Sequence, residues 1–361
     1  MSGIVFYNPE IHFSLHEDFI KKSYGRDDYI LLSKKFLKWQ FLDNPFNNSG
    51  SYTLKLFVKE GAILGQIGFI PVRLSLPGNK IADACYPVNL IVNPDFRELG
   101  IGFFLLKDIM KDFQFIINPG SSSNGEKLCK GLGMKTLGFL KRYVYIVSEK
   151  KARLIFNGKA EAFDKLKIVK HKRIPSKIIN QPDFDLPSED IFKVFGINYF
   201  PYHIVRNRDF LTWRYLRHPF FDYKFFFSDD HKGLLIYREE IEPNLGIKIW
   251  RIVEMLAPMD SCRMIIDQLI DLAFSAEVTM VDFICSFKTY DNVLKSKGFL
   301  SDESDIVKGL AYLFQPLDFR KTGIRLIISY KEELEHNMDQ WYITKGDSDQ
   351  DRPNSFNPNL S

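Results

Sequence analysis

Residues 36–46, Phe36-Leu37-Lys38-Trp39-Gln40-Phe41-Leu42-Asp43-Asn44-Pro45-Phe46, return 174 residues later as Phe210-Leu211-Thr212-Trp213-Arg214-Tyr215-Leu216-Arg217-His218-Pro219-Phe220. Six of the eleven positions are identical, and Phe41 is replaced by the similar Tyr215. Composition alone does not produce so close a repeat, and the stretches downstream of the two copies are also alike. After the first copy, the alternation of apolar residues predicts strands over 52–59, 63–72 and 80–92, with turns at Lys59-Glu60-Gly61 and Pro77-Gly78-Asn79. After the second it predicts strands over 223–227, 233–239 and 247–256, a helix over 260–273 and a strand over 279–286. Leu294 to Phe299 then echoes Leu128 to Met134. The chain is therefore predicted to be α/β, with two similarly folded domains in tandem. The expected boundaries are a first domain at 1–150, a basic linker at 151–190, a second domain at 191–330 and a polar C-terminal segment at 331–361.

The two copies differ where a ligand would bind. In the first, Val88, Leu90, Ile91 and Val92 form an apolar strand ended by Asn93-Pro94, after which Arg97, Gly100 and Gly102 are spaced R-x-x-G-x-G. Phe103, Leu106 and Met110 then recur at helical spacing. A helix begins with four amides that lack partners inside the helix, at the positive end of its dipole. Glycines at 100 and 102 let those amides close on a phosphate while Arg97 adds a positive charge. In the second copy the matching stretch, Ala257 to Arg263, has no glycine and sets Asp260 at the helix start, where it would repel phosphate. Cofactor binding is expected in the first domain alone.

The stretch from Asn93 to Leu106 resembles the acyl-CoA loop of the GNAT N-acyltransferases, in which a strand ends in Pro-x-x-Arg and Gly-x-Gly opens the next helix. Gly65 to Val72 is similar to the preceding strand of that family, and Cys129-Lys130-Gly131-Leu132-Gly133-Met134 is similar to its Tyr-x-x-x-Gly-Phe ending. The resemblance implies two GNAT-like domains, each a mixed, mostly antiparallel sheet flanked by helices. It implies acyl-CoA as co-substrate, held by Leu90, Ile91, Val92, Arg97, Glu98, Leu99, Gly100, Ile101, Gly102, Phe103, Asn118, Asn124 and Cys129. The strand over 88–92 would splay from the strand over 115–118 to admit the pantetheine arm, and an amide near Leu90 or Ile91 would polarise the thioester carbonyl. The family's tyrosine acid is replaced here by Cys129, which leaves either that thiol or solvent to protonate the leaving thiolate. A tandem of this size looks like the bacterial sugar N-acyltransferases of O-antigen and lipopolysaccharide biosynthesis, which acylate nucleotide-linked amino sugars such as dTDP-3-amino-3,6-dideoxyhexoses from acetyl-CoA or 3-hydroxybutanoyl-CoA. Tandem aminoacyl or peptide N-acyltransferases of cell-wall synthesis, and a non-catalytic CoA-binding module, are the alternatives. The first takes aminoacyl-tRNA and has no need of the loop.

An amino sugar needs only modest help from a base. On the acceptor side the candidates are His218 and the alternate carboxylates Asp347, Asp349 and Asp351, with Tyr86 and Trp213 as further substrate contacts. His218 has Asn44 as its counterpart in the repeat, which favours a packing role. The carboxylates follow Trp341-Tyr342-Ile343, an apolar anchor, and lie in a segment that also reads as a solvated tail. They lack the Gly and Glu of a calcium loop, and His12 and His16, though one helical turn apart, have no third ligand, so no metal is expected.

A net charge of +4 over 361 residues does not point to nucleic acid. Residues 150–177 carry ten Lys or Arg against two acids, a bias that would suit an anionic surface but is read as a solvated connection. The four cysteines lack metal-site spacing, and neither a leader pattern nor an apolar run of 18 residues is found. A cytoplasmic protein with reduced thiols, acting on small molecules, is expected. Its oligomeric state is left open.

Overall fold

The computed structural model describes residues 2–166, 185–314, 317–320, 323–330 and 337–356. The part of the basic linker over 167–184 lies outside them. The first half contributes β1 (Ser2–Phe6), β2 (Leu54–Lys59), β3 (Ala62–Leu76), β4 (Lys80–Val92), β5 (Phe115–Pro119), β6 (Lys135–Phe139) and β7 (Lys141–Ile146). The second contributes β8 (Tyr202–Ile204), β9 (Tyr223–Phe227), β10 (Leu234–Glu242), β11 (Ile247–Leu256), β12 (Met280–Cys285), β13 (Leu300–Ser301), the short pair β14 (Leu313–Phe314) and β15 (Leu317–Asp318), β16 (Arg325–Tyr330) and β17 (Trp341–Tyr342). The helices that matter for the site are α1 (Pro9–Tyr24), α2 (Lys34–Phe41), α3 (Ile101–Asp112) and α4 (Ser123–Gly131).

Two sheets divide the chain, both mostly antiparallel. The first runs β1-β2-β3-β4-β5-β16-β6, with β8 beside β3 and β17 beside β8; the second runs β13-β7-β12-β11-β10-β9. The strands cross the boundaries expected at 150 and 330. β6 and β7 are separated only by Leu140, yet β7 leaves the first sheet to pair with β12, and β16 returns from beyond the second domain to fill the place between β5 and β6. The apolar alternation that marks a strand is silent about which edge it will pair with, so this exchange is invisible in the sequence pattern.

The repeated segment lies where the two halves meet. Ser33 caps α2 by accepting from the Phe36 amide, and Asn207 does the same for Phe210 at the start of the second copy. The Trp39 and Trp213 rings stack at 5.3 Å, and each indole N–H donates to the other's backbone carbonyl, at 2.9 and 2.8 Å. Buried indoles need a hydrogen-bond partner, and each finds it in the other copy. Trp213 is thus a structural residue of the junction, not a substrate contact. Behind the loop, α3 seats directly on β3 at Gly65, where a Cβ would come within 2.8 Å of Ile101 Cγ2.

Candidate functional site

β4 and β5 run parallel but pair only at Ala84–Phe115 and Cys85–Ile116. Beyond those residues β4 has no strand on that edge among the described residues, so the expected splay is present. On its other edge a bulge interrupts the ladder, since Gly68 faces Val88 while Gln66 faces Ile91. Asn89 takes up the irregularity in the left-handed region, with φ 53°, which asparagine tolerates better than most residues. Buried Gln66 braces it, donating from Nε2 to the Asn89 carbonyl at 3.4 Å while its Oε1 meets His16 Nε2 at 2.7 Å. Burial pushes His16 down to about 4, so it is neutral and ties α1 to the bulge. His12 meanwhile accepts from the Asn8 amide on the surface. Among the described residues no group of His, Cys, Asp and Glu is placed to hold a metal.

The splay opens into a cleft of about 1050 Å³. Leu90, Ile91 and Val92 form one wall, Asn118, Asn124 and Cys129 the other, and Arg97, Gly100, Gly102 and Phe103 one end. Gly100, with φ 67°, precedes α3 in the left-handed conformation, and Ser122 caps α4 by accepting from the Gly125 amide. Two helix starts therefore face one cleft, a setting suited to phosphate oxygens. The side chains of Glu98, Leu99 and Ile101 do not line it: the first two are exposed and Ile101 is in the core. Cys129 is buried and accepts from Asn118 Nδ2 at 3.4 Å, and burial pushes its thiol up, which makes it a poorer proton donor than a thiol in water.

The acceptor-side residues separate. His218 is buried outside the cleft, where Nδ1 accepts from the Phe220 and Phe221 amides at 3.2 and 2.9 Å and the ring sits edge-on to Trp39. Burial, with Arg214 beside it, lowers its pKa to about 2, which removes it as a base. Its counterpart Asn44 accepts from the Phe46 amide in the same way. Asp347 and Tyr86 also lie away from the cleft: both oxygens of Asp347 accept from Arg206, at 2.9 and 2.8 Å, and one also accepts from the Tyr86 hydroxyl at 2.7 Å. Asp351 does line the cleft, but Arg238 holds it with two 2.9 Å bonds and Tyr223 with a third; Arg238, with Lys345 and Arg214 near it, holds its carboxyl well below the usual range despite burial. Asp349 lines the cleft too, beside Arg352 at 3.3 Å and Gln350 at 3.1 Å.

The C-terminal segment is not a solvated tail. Residues 341–347 are buried, and they run into the gap between β11 and β12, which are parallel and pair only from Ile249–Met280 to Ile252–Phe283. There Ser286 N donates to the Ile343 carbonyl at 2.8 Å, Lys345 N to that of Ile284 at 3.0 Å, and Thr344 Oγ1 to that of Val253 at 2.6 Å. The β11–helix–β12 unit repeats the β4–α3–β5 unit, and the chain's own backbone fills the second splay. The same segment brings Lys345 into the cleft, a residue that nothing in the sequence singles out because only the fold shows that it is buried. Its pKa is lowered to about 7 by burial and by Arg251 and Arg238, against the pull of Asp351 and Asp282.

No family model matches the chain, and no curated protein matches it. Solved structures do. A conserved protein of unknown function from Enterococcus faecalis V583 superposes with a TM-score of 0.58 at 12% identity, covering 91% of this chain and 72% of that one. A GCN5-related N-acetyltransferase from Anabaena variabilis gives 0.52 at 11% over the same shares. Saccharomyces cerevisiae N-myristoyltransferase, solved with bound myristoyl-CoA, gives 0.53 at 10%, over 91% and 82%. At these identities the likeness is one of fold. The architecture is that of the GCN5-related N-acetyltransferases, in two GNAT-like sheets.

Proposed function

We propose that the protein is an acyl-CoA-dependent N-acyltransferase, with the thioester lying in the β4–β5 splay. The observation that carries this reading is that one cleft joins the open edge of β4 to the Arg97–Phe103 loop. The donor would supply an activated acyl carbonyl. Arg97 and the amides at the start of α3 would hold its phosphates, and the wall formed by Leu90 and Ile91 would present amides to the carbonyl oxygen as it gains charge. The acceptor amine enters from the end lined by Asp349, Arg352 and Lys345. Asp349 has one arginine contact there, Arg352 at 3.3 Å, whereas Glu240, which also lines the cleft, is buried and held by Arg251 at 2.5 Å with Arg238 beside it; Asp349 is therefore the carboxylate placed to orient the amine or to take its proton. Among the described residues only the first splay is open, so one donor would bind per chain. Within this class the acceptor we favour is a nucleotide-linked amino sugar, acylated with an acetyl or 3-hydroxybutanoyl group. The polar character of the cleft's far end supports a hydrophilic acceptor of this kind.

Thiol release tests the reading, using acetyl-CoA and 3-hydroxybutanoyl-CoA against dTDP- and UDP-linked amino sugars, the unlinked sugars and simple amines. Release that depends on an amine supports it, and release confined to linked sugars supports the favoured acceptor. In Asp349→Asn, turnover should fall at least tenfold with acyl-CoA affinity unchanged. No release with any pair would count against the reading.

A further inference from the structure

At the inner end of the cleft five cations are buried with three carboxylates. Arg142 donates to Asp282 at 3.0 and 2.7 Å, and Arg238 to both oxygens of Asp351. Arg251 Nε donates to Glu240 at 2.5 Å, with Arg238 Nη1 3.4 Å from the same carboxylate. Arg214 donates from Nε and Nη2 to the Gly346 and Asp351 carbonyls, and its Nη1, without a hydrogen-bond partner among the described residues, belongs to a side chain that does not line the cleft. Each carboxylate is thus taken up by an arginine, and Lys345 is left over. Its Nζ makes no hydrogen bond to a described residue, although Lys345 is only 7% exposed and lines the cleft. Arg251, 1% exposed, lines the cleft as well; its Nη1 has no hydrogen-bond partner among the described residues, with Asp282 Oδ2 3.6 Å away. The adjacent group, Arg206 with Asp347 and Glu254, brings one cation and two carboxylates, which reduces this excess without cancelling it; Glu254 there accepts from Arg206, Tyr215 and Tyr342.

A buried charge is costly unless it is paired. Lys345, cationic below its lowered pKa of about 7 and with its Nζ unbonded, and Arg251, always cationic and with a buried Nη1 that lacks a hydrogen-bond partner, both line the cleft among carboxylates already held by arginines, and together they make a site for an oxyanion. We propose that Lys345 and Arg251 bind a carboxylate or phosphate group carried by the acceptor, and so fix the distance between that group and the amine. This rests on the function proposed above. An anion there pairs the surplus charge, so the site is completed by its substrate and discriminates against neutral amines.

The test is a thermal-shift titration of the full chain with sodium phosphate and with sodium acetate, at constant ionic strength set by sodium chloride. At least one of the two should raise the melting temperature saturably: phosphate alone assigns a phosphate acceptor, acetate alone a carboxylate one. Lys345→Met, of similar length without the charge, should weaken that effect at least tenfold, whereas Lys308→Met on the surface should not. The glycine loop has its own affinity for phosphate, so the titration is repeated in Gly100→Asp, which should retain the component that depends on Lys345. Arg251→Lys, which keeps the charge but loses the Nη1 donor, should weaken binding independently and serves if Lys345→Met folds poorly. The inference is overturned if neither anion binds saturably, or if both variants bind as the wild type does. Acetyl-CoA calorimetry on the same samples separates the two readings. Acetyl-CoA binding without anion binding removes the subsite alone; anion binding without acetyl-CoA binding removes the acyltransferase reading and leaves the subsite.

Discussion

His218 and Asn44 show how a repeat limits what a residue can be. At matching places each offers one acceptor to the amide two residues on, which a neutral imidazole nitrogen and an amide oxygen do equally well. The counterpart in the repeat was legible and pointed to packing; the aspartate spacing in the tail was legible too, but not that Arg206 and Arg238 would claim Asp347 and Asp351. Those arginines are distant in sequence, and a buried pair leaves no local pattern. Lys345 was hidden for the same reason and has its own consequence for stability. Its native pKa is about 7 against an ordinary 10.5, so between those values the unfolded chain carries a proton that the native chain lacks. Native stability should therefore rise with pH across that window, while below pH 7 the full cost of the buried charge is present. Lys345→Met should be more stable than the wild type at pH 7 by an order of a few kcal/mol and should lose most of this slope. Urea midpoints from pH 6.5 to 10 check it, and an unchanged slope would place the titration elsewhere.

At the scale of elements, the strands themselves were well marked. The predicted 223–227 and 247–256 are β9 and β11 as observed, and β3 only runs four residues further than its predicted end. Hairpin turns were legible because Gly61, Gly78 and Asn79 suit the positive φ that both turns require, a conformation that Glu60 also adopts. Pairing was not legible. β7 and β16 each complete the other half's sheet, and Trp341 and Tyr342 pair with β8 in the first sheet just before the chain enters the second. Neither half as drawn from the sequence holds all its strands. Residues 1–150 and 191–361 made separately should each lack a cooperative melting transition, and co-expression should restore one. Two halves that melt cooperatively on their own would show that the strand exchange is dispensable.

For the molecule as a whole, the two halves carry two parallel strand pairs that splay, and they have different fates. One splay is lined by a glycine loop and two helix starts and stays open. The other has Asp260 in the first turn of its helix and holds the chain's own residues 343–345. The loss of the loop in the second copy was legible as missing glycines; the plug was not, because a buried segment that follows polar residues looks like a tail. No helix among the described residues is long and apolar enough to cross a membrane. That one splay alone is open to a donor is tested most directly by calorimetric titration with acetyl-CoA. One molecule should bind per chain, and none should bind to Gly100→Asp, where a side chain is forced into the left-handed region and a carboxylate faces the phosphates. Binding of two molecules, binding that survives Gly100→Asp unchanged, or no binding at all would contradict it.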